Sequence, residues 1–339
     1  MNNEILSETG TIPLISNMSI NNGVMGYSSL PANNQANSIS CSDTTLGAET
    51  MYYQEREYIG YQHIQSFLPR FSPFNKKIAL FIISSSRVAT SSAQYDYGHK
   101  FNRDEMRKTI IRLPQTGNGE IDFDFMESFV AELEARRVAE LEAYLLATGL
   151  KDYALTEEER NALDNYKTLK WSTYNLEELF GKSTRGKRLK GDDRIAGTLP
   201  FVTAGEACEG ISAFIGNKVK IFESNTATID MFGSAKYRNY RYGADDHVAV
   251  VHTEKIAYKA AIFTTSAIHK AAHTGKFDYG HNFYAKDADA LDIMLPERDG
   301  LPDYKYMETL ISAIQKLVIK DVVLYADLKI AETKAIITK

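Results

Sequence analysis

Two stretches in the second half of the chain place lysine and arginine side chains beside aromatic ones. One begins after Phe180 and contains Lys182, Arg185, Lys187, Arg188, Lys190 and Arg194. The other is the run Lys236, Tyr237, Arg238, Asn239, Tyr240, Arg241 and Tyr242. Basic side chains neutralise phosphates, arginine and asparagine read base edges, and tyrosine hydroxyls contact phosphates. Either run alone is typical of a solvated surface, but two in one region favour a nucleic-acid interface.

The distribution of charge supports this interpretation although the chain of 339 residues has a net charge of −5. Residues 120–150 contain two basic and eight acidic side chains, whereas residues 166–296 contain 18 basic and 15 acidic ones. Binding to DNA depends on local patches rather than on the total charge. The acidity is concentrated in one central block, so the net charge does not exclude a DNA-binding surface elsewhere.

Signatures of catalysis are missing from the sequence. A DNA methyltransferase needs a glycine-rich cofactor loop and an Asn/Asp-Pro-Pro-aromatic motif, and the chain contains no Pro-Pro. The segment from Gly181 to Lys187 departs from a P-loop because Arg188 stands where Ser or Thr is needed. His269 and His273 could share a helix face, but a zinc site needs further ligands. We therefore predict a protein without catalytic activity and without a metal or cofactor of its own.

The chain is an imperfect duplication. The motif Tyr95-Asp96-Tyr97-Gly98-His99-Lys100-Phe101 matches Phe277-Asp278-Tyr279-Gly280-His281-Asn282-Phe283 at an offset of 182. Ala79-Leu80-Phe81 matches Ala261-Ile262-Phe263 at the same offset, and Gly10-Thr11-Ile12-Pro13 matches Gly197-Thr198-Leu199-Pro200 at an offset of 187. A period of this length indicates two copies of a domain rather than a solenoid.

The repeated Tyr-Gly-His motif allows two interpretations. It could form a structural turn in which Gly98 and Gly280 adopt a backbone conformation that other residues resist. Alternatively, it could face DNA or another domain. Under the second interpretation the candidate DNA contacts are His99, Lys100, His281 and Asn282, to which we add Thr203 from the second copy.

Short apolar and β-branched runs predict strands in each copy. We expect strands at Lys77–Ile83, Thr228–Phe232 and His247–His252, a helix at Tyr258–Ala271, and a surface loop at Asn33–Ser42.

Each copy ends in a segment with apolar residues at three-to-four spacing, which predicts a long amphipathic helix. The predicted apolar stripes contain Met126, Val130, Leu133 and Leu141 in the first helix and Met307, Leu310, Ile314 and Leu317 in the second. These stripes could pack against their own domains, or the two helices could pair with each other.

The ordered set of motifs resembles the specificity subunit of type I restriction–modification systems and the related type IIB subunits. The resemblance covers roughly residues 10–335 and is clearest in the second copy. The motifs there are Leu199-Pro200-Phe201-Val202, Ile229-Asp230-Met231-Phe232, Ala244-Asp245-Asp246-His247 and Asp303-Tyr304-Lys305-Tyr306-Met307-Glu308.

The resemblance implies an α+β protein with two globular target-recognition domains, each followed by a long helix, the helices packing antiparallel as a spacer. Each domain would read one half of a bipartite site in double-stranded DNA, and the helices would bind methyltransferase subunits. S-adenosylmethionine would bind to those partners, as would ATP and magnesium in complexes that include a restriction subunit. The predicted domains are residues 1–125, a central spacer 126–166, residues 167–303, and a second spacer helix 304–339.

One departure from the family pattern concerns the first copy. A run of 29 residues, 168–196, precedes Gly197 in the second copy, whereas nine residues precede Gly10 in the first. The first domain is therefore expected to lack its opening segment and any counterpart of the basic stretch. A truncated subunit of this kind could be a protein-interaction module that binds a methyltransferase without reading DNA, and this is the alternative hypothesis.

No secretory segment and no apolar run near the roughly 18 residues of a membrane span is found. The two cysteines, Cys41 and Cys208, have no metal or redox spacing. These features predict a cytoplasmic protein with reduced thiols and no membrane partner.

Overall fold

The structure is a computed structural model that describes residues 5–337 except 45, 94 and 97, and it leaves the side chains of residues 333–337 undescribed. Tyr97 of the repeated motif and the last two residues of the predicted spacer helix therefore lie outside the described residues. The chain divides into two compact units, which we call unit 1 (residues up to 143 and from 328 onward) and unit 2 (residues 144–327).

Unit 1 contains two three-stranded sheets. The first has the order β2 (Val24–Ser28), β1 (Ile12–Ile15) and β5 (Ile59–Gly60), and the second has the order β4 (Tyr52–Gln54), β3 (Ser38–Ser42) and β6 (Ile64–Phe67). Helices α1 (Lys76–Thr90) and α2 (Arg103–Lys108) follow, and then the long helix α3 (Phe123–Ala147), whose last residues belong to unit 2.

Unit 2 begins with α4 (Glu157–Asp164), β7 (Trp171–Asn175), α5 (Leu176–Phe180) and β8 (Thr184–Arg185). The strands that follow are β9 (Ala196–Val202), β10 (Ile211–Ile215), β11 (Ile221–Phe222), β12 (Thr226–Asp230), β13 (Ala235–Arg238), β14 (Tyr242–Ala244) and β15 (Val248–Val251). The unit continues with α6 (Tyr258–Ala272), α7 (Ala285–Asp289), β16 (Asp292–Arg298) and β17 (Leu301–Pro302). Most of the long helix α8 (Tyr304–Ile337) also belongs to it.

The strand pairing confirms the duplication. In unit 1, β1 pairs antiparallel with β2 and parallel with β5, and in unit 2, β9 pairs in the same way with β10 and β14. Likewise β3 lies between β4 and β6, and β12 lies between β13 and β15, with every pair antiparallel. The predicted architecture of two similar α+β domains, each followed by a long helix, is therefore confirmed. Antiparallel packing of the two helices stays a prediction.

The prediction of a strand at Lys77–Ile83 is wrong, because these residues lie in α1. The Asn75 side chain caps this helix by accepting hydrogen bonds from the backbone amides of Lys77 (3.0 Å) and Ile78 (3.2 Å). Ile78, Ala79 and Ile83 are buried, which is the three-to-four spacing of a helix that packs on a core. Its counterpart α6 was predicted correctly as a helix.

The prediction of a surface loop at Asn33–Ser42 is wrong for its last five residues, which form the fully buried strand β3. Its serines are tolerated in the core because they have hydrogen-bond partners. The Ser40 hydroxyl accepts from Gln54 Nε2 at 2.9 Å, and the Ser38 hydroxyl donates to the carbonyl of Gln35 at 2.8 Å. Serine content alone therefore did not separate a buried strand from a loop.

Both long helices begin inside their domains and become exposed farther along. Met307 is part of the main apolar core of unit 2, together with Ile229, Ile268 and Leu295, and Leu310 is also buried. Met126 and Val130 are buried in unit 1. Packing of each helix against its own domain therefore explains the apolar residues in its first turns. Leu133, Ile314 and Leu317 are exposed and Leu141 is half-buried.

Helix α4 packs on α8 through a polar contact that sequence inspection did not single out. A capping box joins Thr156 and Glu159 at the start of α4. The Lys316 ammonium on α8 lies 3.1 Å from Glu159 Oε2, 3.0 Å from Asp152 Oδ2 and 2.8 Å from the Ala154 carbonyl oxygen. Among the described residues, no helix is both long enough and apolar enough to cross a bilayer.

We expect the contribution of Glu159 to stability to depend on pH. Burial alone raises the pKa of its carboxyl, but hydrogen bonds from the Thr156 amide, Ser312 and Lys316 outweigh burial and lower it from 4.5 to about 2. Because the folded-state pKa is depressed, the stabilisation is complete above pH 4.5 and is lost as the pH falls towards 2. Urea unfolding of the wild type and a Glu159→Gln variant should therefore differ more at pH 6 than at pH 3.

The matched control for this experiment is Glu158→Gln, since Glu158 is exposed in the same helical turn. Its unfolding midpoint should follow the wild type at both pH values. A Glu159→Gln midpoint that stays equally far below the wild type at pH 3 would contradict the ionic role assigned to Glu159.

Candidate nucleic-acid interface

The first basic stretch forms a loop that several backbone contacts hold in place. We call residues 182–190 the basic loop. The backbone amide of Ser183 donates to Asp289 Oδ1 (2.7 Å), that of Lys187 to the Ala244 carbonyl (3.1 Å), and that of Leu189 to Asp245 Oδ1 (3.3 Å). The loop also contains β8, which pairs antiparallel with β15. Its path is therefore fixed by main-chain atoms, and the basic side chains are not needed to hold it.

Five cations project from this loop, and none of them forms an ion pair with any of the residues that the structure describes. Lys182, Arg185, Lys187, Arg188 and Lys190 are all exposed. Arg194 just beyond the loop behaves differently, because its guanidinium lies 5.2 Å from the Phe201 ring centroid and donates to the Leu189 carbonyl. A fixed cluster of exposed, uncompensated cations is a surface that attracts phosphates.

Gly186 allows the basic loop to pass directly against β14. A Cβ atom at this position would lie 1.6 Å from the Ala244 carbonyl oxygen, which is a backbone atom that cannot move aside cheaply. The neighbouring Lys187 amide donates to the same oxygen. Glycine is therefore needed here for close approach of two backbones.

A Gly186→Ala substitution should displace the basic loop and lower the affinity for duplex DNA, with all five cations still present. We expect an affinity loss of at least tenfold, measured by fluorescence anisotropy at fixed salt, because the cations would no longer share one fixed geometry. A Gly191→Ala variant is the matched control, since a Cβ there meets nothing within 4 Å. Equal losses in the two variants would contradict this role of Gly186.

Two further lysines lie beside the basic stretch and were missed by sequence reasoning. The Asn217 side chain accepts from the Ile195 amide (2.8 Å) and donates to the Asp193 carbonyl (2.9 Å), which ties the loop after β10 to the end of the basic stretch. That loop carries Lys218 and Lys220, which are both exposed. The close spacing of these lysines in the sequence could have marked them as candidate DNA contacts. Their proximity to the basic loop, however, depends on the tertiary fold.

The second basic run is largely structural, and the structure contradicts the DNA contact predicted for Arg238. This side chain is 1% exposed. Its guanidinium donates to the Thr228 hydroxyl (3.0 Å), the Tyr240 hydroxyl (2.9 Å) and the Glu209 carbonyl (2.8 Å). A buried arginine whose donors are used inside the protein cannot reach a phosphate in this conformation.

Other side chains of this run also form hydrogen bonds or ion pairs within the protein. The Lys236 ammonium contacts Glu206 Oε1 (3.1 Å) and the Ser234 hydroxyl (2.9 Å), and the Tyr237 hydroxyl donates to Asn225 Oδ1 (2.9 Å). Asn239 and Arg241 are exposed, Tyr240 is half-buried, and Arg241 lies 3.2 Å from Glu223. The run therefore offers fewer groups to DNA than the basic loop.

The repeated Tyr-Gly-His motif forms the same turn in both units. Asp96 Oδ1 accepts from the amides of Gly98 and His99, each at 2.7 Å, and Asp278 Oδ1 accepts from those of Gly280 (2.7 Å) and His281 (2.8 Å). The special backbone conformation predicted for Gly280 is wrong, because its φ is not positive. The aspartate side chain makes the turn, as is typical of Asx-turns.

The two histidines of this turn are exposed and pack on an aromatic neighbour. Their rings lie 5.2 Å from Tyr95 in unit 1 and 5.3 Å from Phe277 in unit 2. Lys100, Asn282 and Thr203 are half-buried. A structural role accounts for the conserved geometry of the motif, and DNA contact by His99 or His281 stays a prediction.

Comparisons with known proteins agree with the fold. The family model described as the type I restriction modification DNA specificity domain matches residues 1–143. A curated relative, the type II restriction enzyme BgcI specificity subunit S.BcgI of Heyndrickxia coagulans, is 23% identical over 282 residues, which are 81% of this chain and 78% of that protein. The first copy of the duplication is therefore similar to a DNA specificity domain, and most of the chain is similar to a specificity subunit of a restriction enzyme.

The fold of this chain is similar to that of a solved specificity subunit. The type I restriction–modification S subunit from M. genitalium superposes with a TM-score of 0.61 at 14% identity, covering 99% of this chain and 89% of that chain. The family model matches the first copy, although the motifs are clearest in the second. The absence of catalytic activity stays a prediction from the sequence.

Proposed function

We propose that this chain is a specificity subunit that reads a bipartite target in double-stranded DNA, with one half-site at each unit. In this proposal α3 and α8 set the distance between the half-sites. The observation that supports the proposal most directly is the basic loop, where five exposed cations are carried on a backbone held by Asp289, Ala244 and Asp245. The duplicated strand topology supports two readers, because two copies of one domain suit two half-sites.

Exposed apolar side chains on α8 support the second part of the proposal, which is that the helices bind methyltransferase subunits. Ile314 and Leu317 are 41% and 49% exposed on a helix whose first turns are buried. S-adenosylmethionine would then bind to these partners, as would ATP and magnesium where a restriction subunit joins the complex. Isothermal titration of S-adenosylmethionine into the isolated subunit should accordingly show no binding.

The decisive experiment is to co-express the subunit with a methyltransferase subunit of a restriction–modification system from the same organism and to map methylated bases across the host genome. We expect methylation at a motif with two specified parts separated by a gap of fixed length. Methylation at a continuous motif would contradict reading by two units. Methylation with no motif, together with no salt-sensitive DNA binding, would instead favour a module that only docks the methyltransferase.

Charges placed on the exposed apolar face of α8 should prevent methyltransferase docking. We expect an Ile314→Asp/Leu317→Asp variant to lose co-purification of the methyltransferase, because burying an unpaired carboxylate in an interface is strongly unfavourable. Its affinity for DNA should not change. Leu301→Asp is the matched control, since Leu301 is 68% exposed in unit 2 and lies outside the helix. Full co-purification of the double variant would exclude this face as the docking site.

A further inference from the structure

A histidine stands directly before an equivalent strand in each of the two units. His63 precedes β6 and His247 precedes β15, and the offset between them is 184. Each histidine closes a short loop that follows β5 or β14, which are the strands that pair parallel with β1 and β9. Because these strands are equivalent in their pairing, the two histidines occupy the same point in each domain.

The imidazole of each of these histidines has a carboxylate at Nδ1. His63 Nδ1 is hydrogen-bonded to Asp43 Oδ1 at 2.8 Å, and His247 Nδ1 lies 3.1 Å from Asp246 Oδ1. The two acids are not counterparts, since Asp43 follows β3 whereas Asp246 is the neighbour of His247 in the same loop. Both units therefore contain the same pair of groups although the acid comes from different positions, which favours a role for the pair itself.

The outer nitrogen of each ring is available. Among the described residues, Nε2 of His63 and Nε2 of His247 have no hydrogen-bond or ion-pair partner, and the two side chains are 57% and 31% exposed. His252 differs, because its Nδ1 lies 2.9 Å from Glu254 Oε1 but its Nε2 is hydrogen-bonded to the Thr184 hydroxyl at 2.9 Å. When an imidazolium donates Nδ1–H to a carboxylate, Nε2–H remains to donate outward. His63 and His247 are therefore oriented donors without an acceptor.

The surroundings of His63 hold it in an unusual backbone conformation. Its φ is 70°, in the left-handed region that residues with a side chain seldom adopt. Its carbonyl accepts from the Asp43 amide at 2.8 Å, Asp43 Oδ2 accepts from Gln65 Nε2 at 2.7 Å, and Arg103 donates to Gln65 Oε1. Strain of this kind is typical of functional sites, where the surrounding structure enforces it. The charged groups beside His63 are Asp43 and, through Gln65, Arg103.

His247 lies beside the basic loop. The loop of residues 245–247 contacts the basic loop, because the Leu189 amide donates to Asp245 Oδ1. Asp246 Oδ1 is buried and has no hydrogen-bond partner in the described part of the chain, so a positive charge on His247 would compensate it. The charged groups on the loop itself and on the elements that pack against it are Asp245, Asp246, Lys187 and Arg188 of the basic loop, and Asp230 of β12.

We propose that His63 and His247 contact DNA phosphates as imidazolium ions, so that DNA binding by this chain takes up protons. This inference rests on the proposed function, because it requires each unit to face a duplex. With a neutral imidazole, the neighbouring carboxylate repels phosphates. When a proton from solvent binds to the ring, the imidazolium neutralises that carboxylate, and its Nε2–H donates to a phosphate oxygen. A phosphate is the favoured partner since His247 adjoins the exposed cations of the basic loop.

The test uses the full chain and a fluorescent duplex of mixed sequence, since phosphate contacts do not require the target sequence. Histidine ordinarily titrates at about pH 6.5, so the affinity at fixed salt should be higher at pH 6 than at pH 8. Each of the substitutions His63→Gln and His247→Gln should reduce the ratio of the two affinities about tenfold. Calorimetry in two buffers of different ionisation enthalpy should show less proton uptake by the double variant than by the wild type.

His252→Gln is the matched control. The His252 ring has a carboxylate at Nδ1 and the same 31% exposure as His247, but its Nε2 is occupied. Its ratio of affinities at pH 6 and pH 8 should equal that of the wild type, and thermal melting at both pH values would verify that all variants fold.

The possible outcomes separate this inference from the proposed function. Salt-sensitive binding with the same pH ratio in the wild type and in the double variant would overturn the role of the two histidines and leave the proposed function in place. An affinity loss that is equal at pH 6 and pH 8 would indicate contact by neutral rings and would also overturn the inference. Absence of salt-sensitive binding at both pH values would overturn the inference and the proposed function together.

Discussion

Replacing both Lys187 and Arg188 with alanine should weaken binding to duplex DNA about 60-fold at 0.1 M monovalent salt. Each phosphate contact contributes about 0.9 to the slope of log K against log salt, so the loss of two contacts should reduce that slope by about 1.8. Both side chains are exposed on the basic loop and neither is used to anchor it. Anisotropy titrations with a fixed duplex at several salt concentrations would measure the affinity and the slope together.

The matched control is Lys305→Ala/Lys320→Ala, which removes the same charge from exposed positions on α8. Its slope should equal that of the wild type, and both variants should melt at the wild-type temperature. A slope that changes equally in the two variants would mean that only the total charge matters. An unchanged slope for Lys187→Ala/Arg188→Ala would remove the basic loop from the interface.

Arg238→Leu should lower the free energy of unfolding by about 3 kcal/mol, whereas the DNA affinity of the folded protein should stay at the wild-type value. The buried guanidinium satisfies the Thr228 hydroxyl, the Tyr240 hydroxyl and the Glu209 carbonyl. Leaving buried polar groups without partners costs about 1–3 kcal/mol per group, partly recovered by relaxation. Urea denaturation would measure the stability, and titration at a temperature where the variant is folded would measure the affinity.

Arg241→Leu is the control for Arg238→Leu, since it removes an arginine from the same run. Arg241 is exposed and has a surface ion pair with Glu223, which contributes about 1 kcal/mol or less. We therefore expect a small change in stability. A large loss of DNA affinity in folded Arg238→Leu would restore the direct contact that the sequence suggested for this residue.

The duplication is the most informative part of the sequence. The alignment of Ala79-Leu80-Phe81 with Ala261-Ile262-Phe263 placed a predicted strand against a predicted helix. Since two copies of one domain share their elements, one of the two predictions had to be wrong. The run Lys77–Ile83 is apolar and β-branched enough to suggest a strand, and the Asn75 cap that starts the helix lies just before it.

Composition could locate the basic runs but not their exposure. Arg188 and Arg238 both stand in runs rich in basic residues, yet Arg188 is exposed on the basic loop and Arg238 is buried. The difference arises because β13 pairs with β12, which places Arg238 opposite Thr226 inside the domain. The pairing of strands and the register that it sets are tertiary information, and no local pattern in the run contains them.

The basic loop is anchored by main-chain amides and by acceptors on other elements, so its charged side chains can be exchanged without disturbing the core. Mutations at these positions should therefore be nearly neutral for folding and strong for binding. Single substitutions in this loop could change the affinity for DNA while the scaffold persists. The loop sequence should accordingly diverge faster than the fold, and grafting loop sequences between homologues should be tolerated.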